Sequence, residues 1–263
     1  SGQRLSTDAG FSKYRGGVSV NNRGGATTHR TRSVTTANRR TNGTAVRRNV
    51  GVRYGNRGRW YTDGWYDRNP NAWRAAGLTT AAIWTSASWN SLGNWWGSAS
   101  APQPVYYDYG NTIVYEGDTV YNGTEPIGSA EEYYQEATDI ASAGETDQEP
   151  DEWLSLGVWA MVKGDETESN NIIQLSVSKN GLIRGNHYNA TSDATSPIEG
   201  SVDGKTQRAA WTIGNNSKVV CETGIANLTD QETAMLIHYG ADRTEQWSLV
   251  LLEEPQSDEV PGS

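Results

Sequence analysis

The chain contains little of several residue types that mark common classes of protein. Cys221 is the only cysteine among 263 residues, so no disulfide can form within one chain. A missing disulfide does not by itself indicate a reducing compartment, because many exported bacterial proteins have none. The sequence also has no apolar run of 18 residues, which excludes a hydrophobic transmembrane helix. It starts at Ser1-Gly2-Gln3 without a methionine, which fits a chain whose signal peptide has been removed and fits a recombinant truncation equally well.

Phenylalanine is nearly absent, whereas the other aromatic residues are abundant. One phenylalanine occurs beside 11 tryptophans and 13 tyrosines. Tryptophan and tyrosine carry a polar group and favour half-exposed surfaces and interfaces. The aromatic composition therefore favours binding or assembly.

The charges divide the sequence into two unlike halves. Residues 1–100 contain 15 Lys or Arg and only 3 Asp or Glu, whereas residues 101–263 contain 7 and 28. The net charge of −9 hides this contrast. Such an asymmetry indicates a partner of opposite charge, and each half is a suitable partner for the other, within one chain or between copies.

Residues 1–59 are rich in arginine, glycine, asparagine and threonine and have too few apolar residues for a core. We predict an extended basic arm, ordered only where it docks on a neighbouring copy or on its own acidic body; the plain alternative is a disordered tail. Alternating segments at 18–20 and 50–52 predict edge strands that add to a sheet. The candidate assembly residues of this arm are Arg15, Arg23, Arg30, Arg32, Arg39, Arg40, Arg47 and Arg48.

Residues 60–104 form a tryptophan-rich segment and a linker, with seven of the 11 tryptophans. Asn69-Pro70 is a typical helix start, and Gly77 and Gly93 are expected to divide the following stretch into two helices. The ordinary interpretation of these rings is packing on a neighbouring sheet or helix, and the alternative is an aromatic interface. The interface hypothesis concerns Trp73, Trp84, Trp89, Trp95 and Trp96.

The remaining sequence predicts a mainly β fold. Residues 105–152 read as short strands followed by a helix with a capping box at Ser129 and Glu132, which runs to about Ala143. Residues 153–255 predict a small antiparallel β-barrel or sandwich, because short strands alternate with turns at nearly even spacing. Residues 256–263 form an acidic tail. The predicted strands are Trp153–Lys163, Ile172–Ser178, Leu182–Asn189, Ile198–Val202, Arg208–Ile213, Val219–Ile225, Ala234–Tyr239 and Gln246–Glu253.

Motifs of catalysis are missing from the sequence. It contains no HExxH, GxSxG, CxxC or GxGxxG, and its three histidines are far apart, so we expect no enzyme activity, no cofactor and no metal. The alternative is a hydrolase that uses carboxylates such as Glu199 or Glu222. One of Arg184, Arg208 and Glu222 is a candidate for a buried ion pair.

A resemblance to a known family is carried by residues 107–110, 114–118, 153–158, 183–188, 200–213 and 222–229, and more loosely by residues 60–96. In these stretches the sequence resembles a family of exported proteins of planctomycete bacteria, often labelled cell-surface or mu-protocadherin proteins. The resemblance implies export and a cell-surface or extracellular location, and it brings no catalytic residues.

These observations lead to one main hypothesis of function. We expect a secreted protein that assembles with other copies of itself into a filament, fibre or coat, the basic arm docking on the acidic body of a neighbour. The alternative is a secreted β-barrel that binds a small molecule or a glycan in a cavity lined by Trp159, Trp211 or Trp247. Nucleic acid is disfavoured as a partner, because the acidic half competes for the same arginines.

Overall fold

The computed structural model describes residues 28–30, 34–55, 57–97, 102–146 and 148–255. The N-terminal half of these residues is mostly helical and the C-terminal half is mostly strand. The first elements are β1 (Thr28–Arg30), α1 (Thr36–Arg53), α2 (Asp63–Arg68), α3 (Thr80–Trp84) and α4 (Trp89–Trp95). A small sheet and a helix follow as β2 (Ile113–Glu116), β3 (Thr119–Asn122), β4 (Glu125–Ser129) and α5 (Ala130–Ser142).

Eight further strands form a closed antiparallel barrel in which each strand pairs with the next one in sequence. They are β5 (Trp153–Lys163), β6 (Asn171–Ser178), β7 (Leu182–Asn189), β8 (Ala194–Val202), β9 (Arg208–Ile213), β10 (Val219–Gly224), β11 (Glu232–Tyr239) and β12 (Arg243–Leu251). The ring closes where β12 pairs with β5, from Trp247 opposite Lys163 to Leu251 opposite Trp159. The sequence left barrel and sandwich open, and the structure is a barrel.

The predicted strands of the barrel are confirmed, and the largest differences lie at strand ends. β8 begins at Ala194, four residues before the predicted Ile198. Pro197 argues against an earlier start of this strand, since proline has no N–H to donate to a neighbouring strand. The structure tolerates it because the pairing of β8 with β9 begins only at Ile198. On that side Pro197 offers only its carbonyl, which accepts a hydrogen bond from the Gly214 N–H at 2.8 Å.

The barrel interior is filled with apolar side chains. Alternate residues of the strands point inward, and Trp159 and Trp211 are completely buried among them. At the end where β5 begins, Leu92 of α4 reaches the same core, and Trp89, Trp95 and Trp96 pack around it. A ligand cavity lined by Trp159 and Trp211 is therefore not formed among the described residues.

The segment from 36 to 53 is an 18-residue helix, which corrects the extended arm and the strand at 50–52 that the sequence predicted. The Thr35 hydroxyl accepts a hydrogen bond from the Asn38 amide and caps the first turn. Val46 and Val50, four residues apart, pack on the outer face of β5, β6 and β12. The sequence of α1 has little intrinsic helix preference, and this tertiary packing stabilises it.

The tryptophan-rich segment forms short helices whose bounds differ from the prediction. Asn69 ends α2 rather than starting a helix, and Gly93 lies buried inside α4. The actual starts are capped by the side chains of Thr62, Thr79 and Ser88, each of which accepts a backbone N–H.

On the other side of the barrel, α5 covers β8, β9 and β10. Its capping box at Ser129 and Glu132 is formed as predicted, and the helix ends at Ser142. The backbones come very close at its C-terminus, because a Cβ on Gly144 would lie 2.0 Å from the carbonyl oxygen of Gly200.

Replacing Gly144 by alanine is expected to destabilise the protein by about 1–3 kcal/mol, because backbone atoms of α5 and β8 must separate to admit the methyl group. Urea unfolding followed by circular dichroism measures the effect. Gly55→Ala is the matched control, since a Cβ there would meet nothing within 4 Å. Equal midpoints for the two variants would contradict the close approach.

Candidate functional site

Two of the predicted assembly arginines bind the body of their own chain. Arg39 is only 6% exposed and its guanidinium lies 2.5 Å from the carboxylate of Asp108. Arg47 lies 2.6 Å from the carboxylate of Glu232, and its Nε donates to the Leu251 carbonyl at 2.8 Å. The basic segment is thus complementary to the acidic body, as the charge division suggested.

Two other arginines of α1 lie on its exposed side. Arg40 and Arg48 are exposed, and within the described ranges neither has a carboxylate within 4.0 Å. Arg40 is nevertheless near Asp230, because burial raises the pKa of Asp230 and the charge of Arg40 opposes that rise. Arg30 is the last residue of β1. Arg15, Arg23 and Arg32, together with the predicted strand at 18–20 and the acidic tail, lie outside the described residues.

The segment before α1 extends the barrel sheet. β1 runs parallel to β12, with Thr28 opposite Arg243 and Arg30 opposite Glu245. It occupies the edge of β12 that precedes Trp247, where the pairing with β5 starts. An N-terminal strand that adds to a sheet edge is the mode of docking expected of the arm, here within one chain.

A shallow cleft lies beside the C-terminal half of α1. It has a volume of about 350 Å³ and is lined by residues that include Arg48, Val52, Glu168 and Ser169. Arg53 pairs with Glu168 at 2.9 Å at its rim. Val52 is 83% exposed, so an apolar side chain stands among charged ones on this surface.

The five tryptophans of the interface hypothesis pack largely within the fold. Trp84 is buried and stacks on Trp60 with ring centroids 6.4 Å apart, and Trp73 meets Trp153 edge to face. Trp89, Trp95 and Trp96 close one end of the barrel. Only the exposed edges of these rings are therefore free to contact another molecule.

The most polar buried site lies under α5, on the outer face of β9 to β11. The Arg208 guanidinium binds the Glu222 carboxylate at 2.5 Å and Glu136 at 2.9 Å. His238 places Nε2 3.3 Å from the other Glu222 oxygen, and its Nδ1 lies 3.0 Å from the Thr244 hydroxyl. Arg208 and Glu222 are thus the candidates that form an ion pair with both partners buried. Arg184, the third candidate, is also buried and pairs with the half-exposed Glu149 at 2.7 Å.

The network holds Glu222 in its charged form. Burial raises the pKa of Glu222, but the charge of Arg208 and the contact with His238 lower it by more, so the net pKa lies below the ordinary 4.5. Glu222 is completely buried, so neither of its oxygens is presented to a substrate at the surface. Glu199, the other carboxylate considered for catalysis, is exposed on β8.

Other groups that could carry out chemistry are also buried or far from one another. Cys221 points into the barrel, where burial raises the pKa of its thiol to about 12. In the described ranges, no three His, Cys, Asp or Glu side chains converge as a metal site would require.

None of the described helices is long and apolar enough to span a bilayer.

We compared the chain with known protein families, curated proteins and solved structures. No protein-family profile, curated protein or solved structure matches this chain.

Changing Glu222 to glutamine is expected to cost about 3 kcal/mol, because Arg208 and His238 lose their shared buried partner. The folded-state pKa of Glu222 is depressed, so its stabilising effect is present above the unfolded value of about 4.5 and is lost as the pH falls through the lower folded value. Wild type should therefore lose its advantage over Glu222→Gln as the pH falls below about 4.5.

Urea unfolding at steps from pH 7 to pH 3 measures this difference. Glu199→Gln serves as the control, since it makes the same change on an exposed side chain. A constant difference between wild type and Glu222→Gln across the range would show that Glu222 is not the group responsible.

Proposed function

We propose that the protein is a secreted, non-catalytic structural protein that assembles with copies of itself into a filament, fibre or cell-surface coat. The observation that carries the proposal is the fit of the basic N-terminal segment to the acidic body. Arg39 with Asp108 and Arg47 with Glu232 make that fit within one chain. The same chemistry remains available on the outward side of α1 for a neighbouring molecule.

Three further features support this role over the alternatives. The filled barrel speaks against a small molecule or glycan held inside it. The burial of Glu222 behind Arg208 and α5 speaks against a carboxylate hydrolase. The resemblance to exported planctomycete proteins supports a location outside the cell, and β1 supplies a precedent for strand addition by the same segment.

Assembly through exposed charges has a predictable dependence on salt. Each exposed ion pair contributes about 0–1 kcal/mol, and the screening length falls from about 10 Å at 0.1 M salt to about 3 Å at 1 M. We therefore expect a particle mass that rises with protein concentration at 0.1 M salt and falls back towards the monomer at 1 M.

Multi-angle light scattering of the full chain measures this, with negative-stain electron microscopy of the concentrated sample to show the form of the assembly. The chain itself weighs 28.7 kDa. A mass that stays at this value at every concentration and salt would contradict self-assembly.

A further inference from the structure

The exposed side of α1 presents a row of four side chains, two of them arginines, which we call the basic stripe. Arg40, Thr44, Arg48 and Val52 recur every four residues, which places them on one ridge that turns by about 40° per step around the helix. All four are exposed, and in the described part of the chain the two arginines have no ion-pair partner. The stripe ends at the cleft beside Val52, so it combines positive charge with a small apolar surface.

The exposed side of α5 and the loop after it present the opposite charge. No lysine or arginine occurs from residue 125 to residue 152. Glu131, Asp139, Glu145 and Asp151 are exposed along this stretch. Cations of the barrel pair with Glu136, Glu149 and Glu152 of this stretch. The four exposed carboxylates have no such ion pair in the described part of the chain, and we call them the acidic face.

The basic stripe and the acidic face lie on opposite sides of the barrel. α1 packs over the seam of β5 and β12, whereas α5 packs over β8, β9 and β10. In the closed ring of eight strands, β5 and β9 are four positions apart. One molecule therefore cannot bring its own stripe onto its own acidic face.

We infer that the basic stripe of α1 docks on the acidic face of α5 in a second copy of this chain. The contact joins two different surfaces, so each added copy leaves one stripe and one acidic face open, and the assembly grows head to tail. This inference rests on the proposed self-assembly and names the two surfaces that would carry it.

The helical parts of the two surfaces have comparable lengths. At 1.5 Å per residue, Arg40 to Val52 of α1 covers about 18 Å and Glu131 to Asp139 of α5 about 12 Å, and the loop after α5 extends the acidic face further. Exposed ion pairs are individually weak, each changing an association constant by less than about fivefold. Several pairs together with the apolar contact at Val52 are required, so reversing two charges on one face should have a large effect.

Two charge-reversed variants of the full chain test the contact. Arg40→Glu with Arg48→Glu makes the stripe acidic, and Asp139→Lys with Glu145→Lys makes the α5 face basic. The second variant should fold well, because cations stabilise the C-terminal end of a helix. Each variant alone should need at least about tenfold more protein to assemble in light scattering.

Restoration of the contact distinguishes docking from a general effect of charge. An equimolar mixture of the two variants should assemble, as should one chain that carries all four substitutions, because both again bring opposite charges together. Arg68→Glu with Lys205→Glu and Asp242→Lys with Glu116→Lys are the controls, since they make the same changes of net charge on exposed side chains outside these faces. Circular dichroism verifies that every variant is folded.

The outcomes separate the inference from the proposed function. If wild type assembles and the reversed variants assemble equally well, or lose assembly without recovery in the mixture, the named surfaces are wrong although self-assembly stands. If wild type remains monomeric at every concentration, the proposed function itself fails. Assembly that is lost in each variant and recovered in the mixture supports both the docking of the two surfaces and the proposed self-assembly.

Discussion

The pairing of β12 with β5 is the contact on which the other elements depend. It turns a row of eight strands into a ring, and a ring leaves its strands no long unpaired edge. α1 lies across this seam, with Val46 and Val50 packed on residues of both strands. Arg47 binds the carbonyl of Leu251, the last residue of β12, and β1 continues the sheet along the rest of that strand. The N-terminal segment is thus ordered by a surface that exists only when the barrel is closed.

Charge is used in two ways around this barrel. Under α5, Arg208 and Glu222 are removed from water and bind each other, and His238 lies 3.3 Å from the second Glu222 oxygen. Arg208 also binds Glu136 and thereby holds α5 against the sheet. On the outside, Arg40 and Arg48 on one side and Glu131 and Asp139 of α5 on the other are exposed. Exposed charges of this second kind are available to another molecule.

Sequence patterns predicted the barrel well because its information is local. Turn dipeptides such as Asn180-Gly181 mark strand ends, and the capping box at Ser129 marks the start of α5. α1 was missed because its apolar residues are few, and a helix that depends on packing leaves little trace in its own sequence. Without the helical period, the arginines cannot be divided into inward Arg39 and Arg47 and outward Arg40 and Arg48. The partners of Glu222 lie on neighbouring strands, so naming them requires the strand register.

The closing of the barrel also sets an order of events in folding. Seven of its strand pairings join neighbours in the sequence, and hairpins of this kind form early because their loops are short. The eighth joins the first and last strands, so the ring cannot close, and α1 cannot find its complete docking surface, before β12 has been made. The barrel of a growing chain therefore stays open until β12 has been synthesised. If the protein is secreted as proposed above, that delay would keep the chain in a form that an export channel for unfolded polypeptides can accept.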